Sequence, residues 1–350
     1  MGVAPAAKAA ARTDNPSLAF TRATNGSASL APAGDRLIAE VQGTLWSLPR
    51  TGGTAHALTP ADLEPNRPTH SPDGELIAFC AYRDGGFHLW TVRPDGSGLR
   101  RRTDGPWDDR GPAWAPDSTR LAFSSERGGD DVDGSPYRVH VLDLRTGRIT
   151  RVTGLPGQDG PLQDGPWEDF DPTWSPDGTH ILFVRARTVS TALGLSVEAR
   201  TIAAVPADGT GPVTVRHTET EAAQVMAPAV APDGRLAHLR TTAAPNGSCT
   251  LVVDGRPVPV TGDIAPVPPR WTPAGRLLLT LDGAFTLVRP ESPEQPEAIP
   301  FGGVLPVERP RYRTKKYDLG QARTRPVRGI HLPALSPDGR QIAFAALNSL

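Results

Sequence analysis

The sequence predicts an all-β protein, a β-propeller of about seven four-stranded blades, and three observations carry that prediction. The first is composition: 36 glycines and 38 prolines stand among 350 residues. Proline in a helix interior costs about 3 kcal/mol and glycine about 1 kcal/mol, which excludes a long helical bundle. No Gly-X-Y period runs through the chain, so collagen is excluded too. The second is the recurrence of short apolar runs, such as Leu76-Ile-Ala-Phe79 and Ile181-Leu-Phe-Val184. They argue for a core and against wholesale disorder. The third is an internal repeat.

Seven segments align on one proline: Leu30-Ala-Pro-Ala-Gly34, His70-Ser-Pro-Asp-Gly74, Trp114-Ala-Pro-Asp-Ser118, Trp174-Ser-Pro-Asp-Gly178, Val230-Ala-Pro-Asp-Gly234, Trp271-Thr-Pro-Ala-Gly275 and Leu335-Ser-Pro-Asp-Gly339. The anchoring prolines lie 40, 44, 60, 56, 41 and 64 residues apart. A core of about 40 residues therefore carries insertions. A second proline stands four residues upstream in six of the seven, at Pro68, Pro112, Pro172, Pro228, Pro269 and Pro333; the first repeat has Ala28 there.

Each element of the unit has its own signal. A short strand ends in Pro-Asp-Gly, where proline presets φ and glycine takes a positive φ. An apolar strand follows, as in Glu75-Leu-Ile-Ala-Phe-Cys80 or Arg120-Leu-Ala-Phe-Ser124. A third comes next, for example Phe87-His-Leu-Trp-Thr-Val92 or Tyr137-Arg-Val-His-Val-Leu-Asp-Leu144. A hairpin turn such as Arg93-Pro-Asp-Gly-Ser-Gly98 leads to a fourth strand, often ending in threonine: Thr59, Thr103, Thr153, Thr218 and Thr261. Four antiparallel strands in one such unit are a propeller blade.

The predicted organisation is a flexible segment over 1–16 and a propeller over 17–350. Repeats fall near 27–59, 66–103, 110–153, 170–218, 226–261, 267–300 and 329–350, with a basic inter-blade linker over 304–328. The last repeat has only its first two strands. Either Ser17-Leu-Ala-Phe-Thr-Arg22 closes that blade, or the blade is incomplete in a fragment of a longer protein; both can hold. An open blade leaves unpaired strand edges.

These residues resemble the TolB-like propeller repeat, a relative of the WD repeat, whose signature is an aromatic followed by Ser-Pro-Asp-Gly and an apolar strand. The resemblance covers roughly residues 27–350 and speaks to fold rather than function. A narrower likeness lies in Pro310-Arg-Tyr-Arg-Thr-Lys-Lys-Tyr-Asp318, Arg325-Pro-Val-Arg-Gly-Ile330 and Leu335-Ser-Pro-Asp-Gly-Arg-Gln-Ile-Ala-Phe-Ala-Ala346. It looks like the propeller part of large bacterial amidohydrolases, with peptidase-linked propellers as the rival. That resemblance implies a metal-dependent hydrolase domain beyond residue 350, where any divalent metal would sit; no cofactor is expected in this chain.

The chain's own residues offer no catalytic set. Its eight histidines include no His-x-His pair and no His-Glu-x-x-His. There is no Gly-x-Ser-x-Gly elbow and no phosphate-binding glycine loop. His88 and His140 lie in third-strand patterns and read as packing residues, as do Trp114, Trp174 and Trp271, which share one repeat position. The expected role is a non-catalytic binding or scaffold module, with a stand-alone propeller in translocation or envelope function as the alternative.

A duplicated acidic segment is the best local candidate. Asp104-Gly-Pro-Trp-Asp-Asp-Arg-Gly-Pro112 recurs as Asp164-Gly-Pro-Trp-Glu-Asp-Phe-Asp-Pro172, each copy just before an innermost strand. On one reading Asp108, Asp109, Glu168, Asp169 and Asp171, with Trp107 and Trp167, line a cation- or peptide-binding rim at one channel mouth. On the other, the aspartates cap turns and the tryptophans pack between blades. The loop Glu126-Arg-Gly-Gly-Asp-Asp-Val-Asp-Gly134 lacks a full calcium ligand set and reads as a solvated hairpin insertion.

Charge narrows the partners. Formal net charge is −1, with 37 basic and 38 acidic residues, so no global pull toward polyanions exists. Residues 308–328 are locally basic (Arg309, Arg311, Arg313, Lys315, Lys316, Arg323, Arg325, Arg328), which reads as a blade crossing or a docking surface for a partner domain. Protein or peptide partners, or a C-terminal hydrolase domain, are expected; nucleic acid and membrane insertion are not. Cys80 and Cys249 read as free buried thiols. Met1 to Pro16 carries no apolar signal core, so a cytoplasmic location is expected for the chain as given, and an exported one if its start is incomplete.

Overall fold

A computed structural model describes residues 17–23, 26–128, 136–156, 158, 167–191, 194–219, 223–242, 247–306 and 331–345. The segment 1–16, most of the acidic loop after Arg127 and the basic stretch 308–328 lie outside the described residues. Two compact units are present, Met1–Val307 and Glu308–Leu350. Among the described residues, no helix is long and apolar enough to cross a membrane.

The first unit contains six four-stranded antiparallel sheets, each built in chain order from one repeat. Blade one is Ala28–Leu30, Arg36–Val41, Thr44–Pro49 and His56–Ala57; blade two is Pro65–His70, Ile77–Arg83, Gly86–Val92 and Arg100–Arg101. Blade three is Asp109–Trp114, Arg120–Ser125, Arg138–Asp143 and Ile149–Arg151. Blade four is Trp167–Trp174, His180–Thr191, Gly194–Pro206 and Thr214–Thr218. Blade five is Ala223–Val230, Leu236–Thr242, Cys249–Val253 and Arg256–Pro257; blade six is Arg270–Trp271, Leu277–Leu281, Ala284–Arg289 and Ser292–Ile299. The second unit holds a two-stranded hairpin from the seventh repeat, His331–Leu335 with Ile342–Ala345. Among the described residues the seventh repeat thus contributes its first two strands.

Both repeated prolines have a visible reason. In all seven turns the residue in the glycine place donates its backbone N–H three residues back, for example Gly74 to Ser71 at 2.9 Å and Gly339 to Ser336 at 2.9 Å. Ser118 replaces glycine in the third and still takes φ 59°. The turn aspartate braces itself: Asp177 Oδ1 accepts from the Ser175 hydroxyl at 2.6 Å and from Thr179 N at 3.0 Å. Those bonds hold its carboxyl down at about 2. The upstream proline sits in a β-bulge of the inner strand, with register shifts at Asn66/Thr69, Arg110/Ala113, Phe170/Thr173 and Met226/Ala229. Proline has no N–H to give a ladder, so a bulge is where an inner strand tolerates it. The residue before it is left-handed: Arg67 φ 52°, Gly111 φ 63°, Asp171 φ 52° and Ala227 φ 52°.

Two more repeat positions tie the strands and blades together. Thr59, Thr103 and Thr153 accept the backbone N–H of Leu45, Leu89 and Val139 at 3.0, 2.9 and 2.9 Å. Each closing threonine thereby satisfies a buried donor of the third strand. Trp114, Trp174 and Trp271 donate Nε1–H to the carbonyls of Thr69, Ala113 and Ala229 in the preceding blade, at 3.0, 3.1 and 3.1 Å. In these three blades the tryptophan is an inter-blade rivet that fills space and answers a carbonyl.

Blade six meets blade one. Leu37, Trp46 and Leu48 pack in one cluster with Leu278, Phe285, Leu287, Ile299 and Phe301. The N-terminal strand Ser17–Phe20 pairs with Phe301–Pro306, which lies parallel to Gly53–Thr54 of blade one. The Ser17 strand therefore joins a separate three-stranded sheet with Phe301–Pro306 and Gly53–Thr54, and does not pair with a strand of the seventh repeat. The 56-residue spacing between Pro176 and Pro232 is also explained, since the middle strands of blade four run 12 and 13 residues.

Candidate functional site

Inner-strand residues of five blades converge on the axis. Arg67, Gly111, Pro112, Asp171, Pro172, Ala227, Pro228, Pro268 and Arg270 surround a cavity of about 20 Å³. A wider cavity of about 280 Å³ adjoins it through Arg67, Gly111 and Asp171. It is lined further by Asn66, Arg110, Ser124, Tyr137, Glu168 and Phe170, and forms the channel mouth at blades two to four.

Asp171 is the hub of the narrow part. Its carboxylate accepts from the Arg67 guanidinium of blade two and from Ala227 N of blade five, the latter at 3.3 Å. Arg67 in turn donates its backbone N–H to Ser27 of blade one at 3.1 Å. The charge of Asp171 raises the pKa of Arg67 further, against the effect of burial. Glu40 also lies near Arg67, its carboxyl raised by burial. Arg270, half-buried on blade six, faces the same centre. Among the described residues no carboxylate lies within ion-pair distance of it, and burial with the like charge of Arg67 pushes it down to about 10.

The acidic segments place as follows. Asp109 is fully buried, with Arg127 Nη2 at 2.7 Å, Arg127 Nε at 3.0 Å and the Ser125 hydroxyl at 2.6 Å. Burial works against its charge, yet His88 beside it, together with these donors, holds its carboxyl below the usual range. Asp169 is equally buried and takes a two-pronged contact from Arg185, at 2.7 and 2.9 Å. Asp108 accepts from Phe87 N at 2.9 Å and Arg110 Nη2 at 2.8 Å. Glu168 lines the wide cavity, its carboxyl raised by burial despite Arg138. Trp107 is half-buried beneath the Arg127 guanidinium, 5.0 Å from its ring, and the Trp167 carbonyl accepts from Arg138.

Asp108, Asp109, Asp169 and Asp171 are thus each matched by an arginine. On the axis Arg270 has no ion-pair partner among the described residues, while Glu168 at the mouth has the more distant charge of Arg138 beside it. A guanidinium fork suits a carboxylate, which it can grip with two parallel hydrogen bonds. Tyr137, pushed up to about 12 by burial, stays a neutral donor, and Phe170 adds an apolar wall.

No family model matches the chain. It is 31% identical over 145 residues to the uncharacterized protein Atu1656 of Agrobacterium fabrum, covering 40% of this chain and 46% of that protein. It is 27% identical over 142 residues to the uncharacterized peptidase YuxL of Bacillus subtilis, covering 38% and 18%. The matched stretch spans less than half the length of either relative. Among solved structures it is similar to a putative TolB from Agrobacterium tumefaciens, with TM-score 0.50, 21% identity, and coverage of 68% of this chain and 78% of that one. The fold is that of a TolB-like β-propeller.

In this TolB-like propeller the axial arginines escaped motif reading, although a signal existed. Aligning the residue before each upstream proline gives Arg67, Gly111, Asp171, Ala227 and Pro268, the ring that faces the channel. A charged residue in a column otherwise small or apolar marks the axis. Arg110, Arg270 and Tyr137 lie beside that column and needed the fold to find.

Proposed function

We propose that this chain is a non-catalytic binding propeller whose channel mouth seats the anionic end of a peptide or protein partner. One observation carries the reading: Arg67 and Arg270 face the axis around a single shared carboxylate, Asp171. A singly charged carboxylate complements that balance, whereas a dianionic phosphate would meet Asp171 at close range. The neighbouring Phe170 and Tyr137 suit the last side chain of a peptide. The acidic rim keeps a supporting part, since Asp108 orients Arg110 toward the mouth and Glu168 selects against a second negative charge.

In a longer parent chain the same module would orient a substrate for an attached hydrolase domain of amidohydrolase or peptidase type. The partial match to a Bacillus peptidase supports that setting. A stand-alone interaction propeller uses the same mouth with a separate partner.

The test is fluorescence anisotropy with labelled peptide pools that differ only in a free or an amidated C-terminus. Free-carboxylate peptides bind, binding weakens with salt, and Arg270→Gln removes it without loss of thermal stability. Equal binding of amidated pools, or unchanged binding by Arg270→Gln, defeats the reading.

A further inference from the structure

At the junction of blades four and five, outside the residues that line the channel cavities, two imidazoles converge on one carboxylate. His217 belongs to the outermost strand of blade four, Glu219 follows it directly, and His238 lies on the second strand of blade five. We propose that His217, Glu219 and His238 form a binding site for one divalent transition-metal ion of the zinc class.

The geometry is the first support. His217 Nε2 stands 3.1 Å from Glu219 Oε1, and His238 Nε2 stands 3.3 Å from the same oxygen. All three donor atoms lie within 4.8 Å of one another. Zinc bonds of about 2.0–2.2 Å to nitrogen and oxygen place neighbouring ligand atoms about 3.0 Å apart at right angles and about 3.4 Å apart in a tetrahedron. The two edges to Glu219 fall inside that span, and the two imidazole donors lie within 4.8 Å of each other. Arg240 approaches the other oxygen, Oε2, at 4.0 Å and leaves Oε1 to the imidazoles.

The donor chemistry is the second support. Two neutral imidazoles and one carboxylate are a nitrogen–oxygen set suited to zinc, cobalt or nickel, and poor for calcium or magnesium, which take oxygen ligands. The site is also built rather than draped on a surface: His238 is 1% exposed and the Glu219 side chain 11%, while His217 at 22% leaves one approach open. The imidazoles stack at 4.4 Å between centroids, tilted by 43°.

The far side of His238 sets the strength of the site. Its Nδ1 is buried with no hydrogen-bond partner among the described residues, so the only hydrogen bond given for the ring is the one at Nε2. A metal-bound imidazole ordinarily donates its other N–H, and losing such a contact weakens affinity about 10- to 100-fold. The site is therefore of exchangeable rather than permanently loaded strength. Three protein ligands leave a fourth position for water or another donor.

The experiment uses the untagged full chain, stripped with chelator and titrated with zinc by calorimetry and with cobalt(II) by visible absorption. One equivalent binds, cobalt develops ligand-field bands, and zinc raises the unfolding temperature. Glu219→Gln keeps the side chain's shape and fold, checked by its melt without metal, and weakens binding at least 100-fold; His217→Gln does the same. His56→Gln, at an exposed histidine on blade one, leaves binding unchanged. No saturable equivalent in the wild type, or one that survives both Glu219→Gln and His217→Gln, overturns the proposal and leaves a hydrogen-bonded triad. This outcome is independent of the peptide test at the channel.

Discussion

At the scale of single residues, charge inside this propeller is organised as pairs. Asp169 and Arg185 are both buried, at 0% and 7% side-chain exposure, and meet in two parallel hydrogen bonds. Such a pair adds little net stability over an apolar replacement, but removing one partner strands the other without compensation. Asp169→Asn is therefore expected to cost about 3–5 kcal/mol, read as a lowered urea midpoint with an unchanged m-value. Replacing both residues by apolar ones should recover much of the loss. Histidines set the pH response. Burial holds His70 and His140 near 4, against an ordinary 6.5. Between pH 6.5 and 4 the unfolded chain binds more protons at these positions than the folded one, so stability falls as pH falls through that window and levels off below it. Urea midpoints at pH 7.5, 5.5 and 4.5 check this; a flat response would mean that neither ring is buried neutral.

At the scale of elements, punctuation was legible and partners were not. Strand ends were announced by Pro-Asp-Gly turns, by prolines at the bulges and by closing threonines, because each position needs a particular backbone conformation or donor count that few residues supply. Those demands are local, so a one-dimensional string records them. The pairing of Asp109 with Arg127 spans 18 residues and depends on the register of two strands of blade three, and that of Asp171 with Arg67 spans 104 and depends on how blades meet. From the string alone the same aspartates could be read either as turn caps or as a free rim. The destination of Ser17–Phe20 was likewise undetermined, because an edge strand accepts any compatible edge. In the fold it joins Phe301–Pro306, and Phe301 carries the junction with only 7% exposure, 5.4 Å from the Phe285 ring. Phe301→Ala is expected to lower stability by about 3 kcal/mol, since it opens a cavity between blades six and one. Differential scanning calorimetry would show the transition broadening as the two terminal blades separate, whereas a shift without broadening would place the loss within blade six alone.

At the scale of the whole ring, closure is the property that matters, because an unclosed blade exposes strand edges to other chains. The first unit closes by itself. Ala23 N donates to Gly283 O at 2.7 Å, the Thr280 hydroxyl to Gly26 O at 2.6 Å, and Arg22 to Asp282 O at 2.7 Å. These bonds stitch the segment before blade one onto the turn and second strand of blade six, above the shared apolar cluster. None of them uses the seventh repeat. Two truncations should therefore behave oppositely. A chain ending at Pro306 keeps the unfolding midpoint of the ring within about 0.5 kcal/mol, the usual range for changes away from packed features. A chain that begins after Ala23 loses the Ser17–Phe20 pairing and the Ala23 and Arg22 bonds. With each hydrogen bond contributing about 1 kcal/mol, it unfolds at distinctly lower urea. It also exposes the Phe301–Pro306 edge and self-associates on sedimentation. If the C-terminal truncation proves the damaging one, ring closure runs through the seventh repeat instead, and the six-blade junction described above is not what holds the propeller shut.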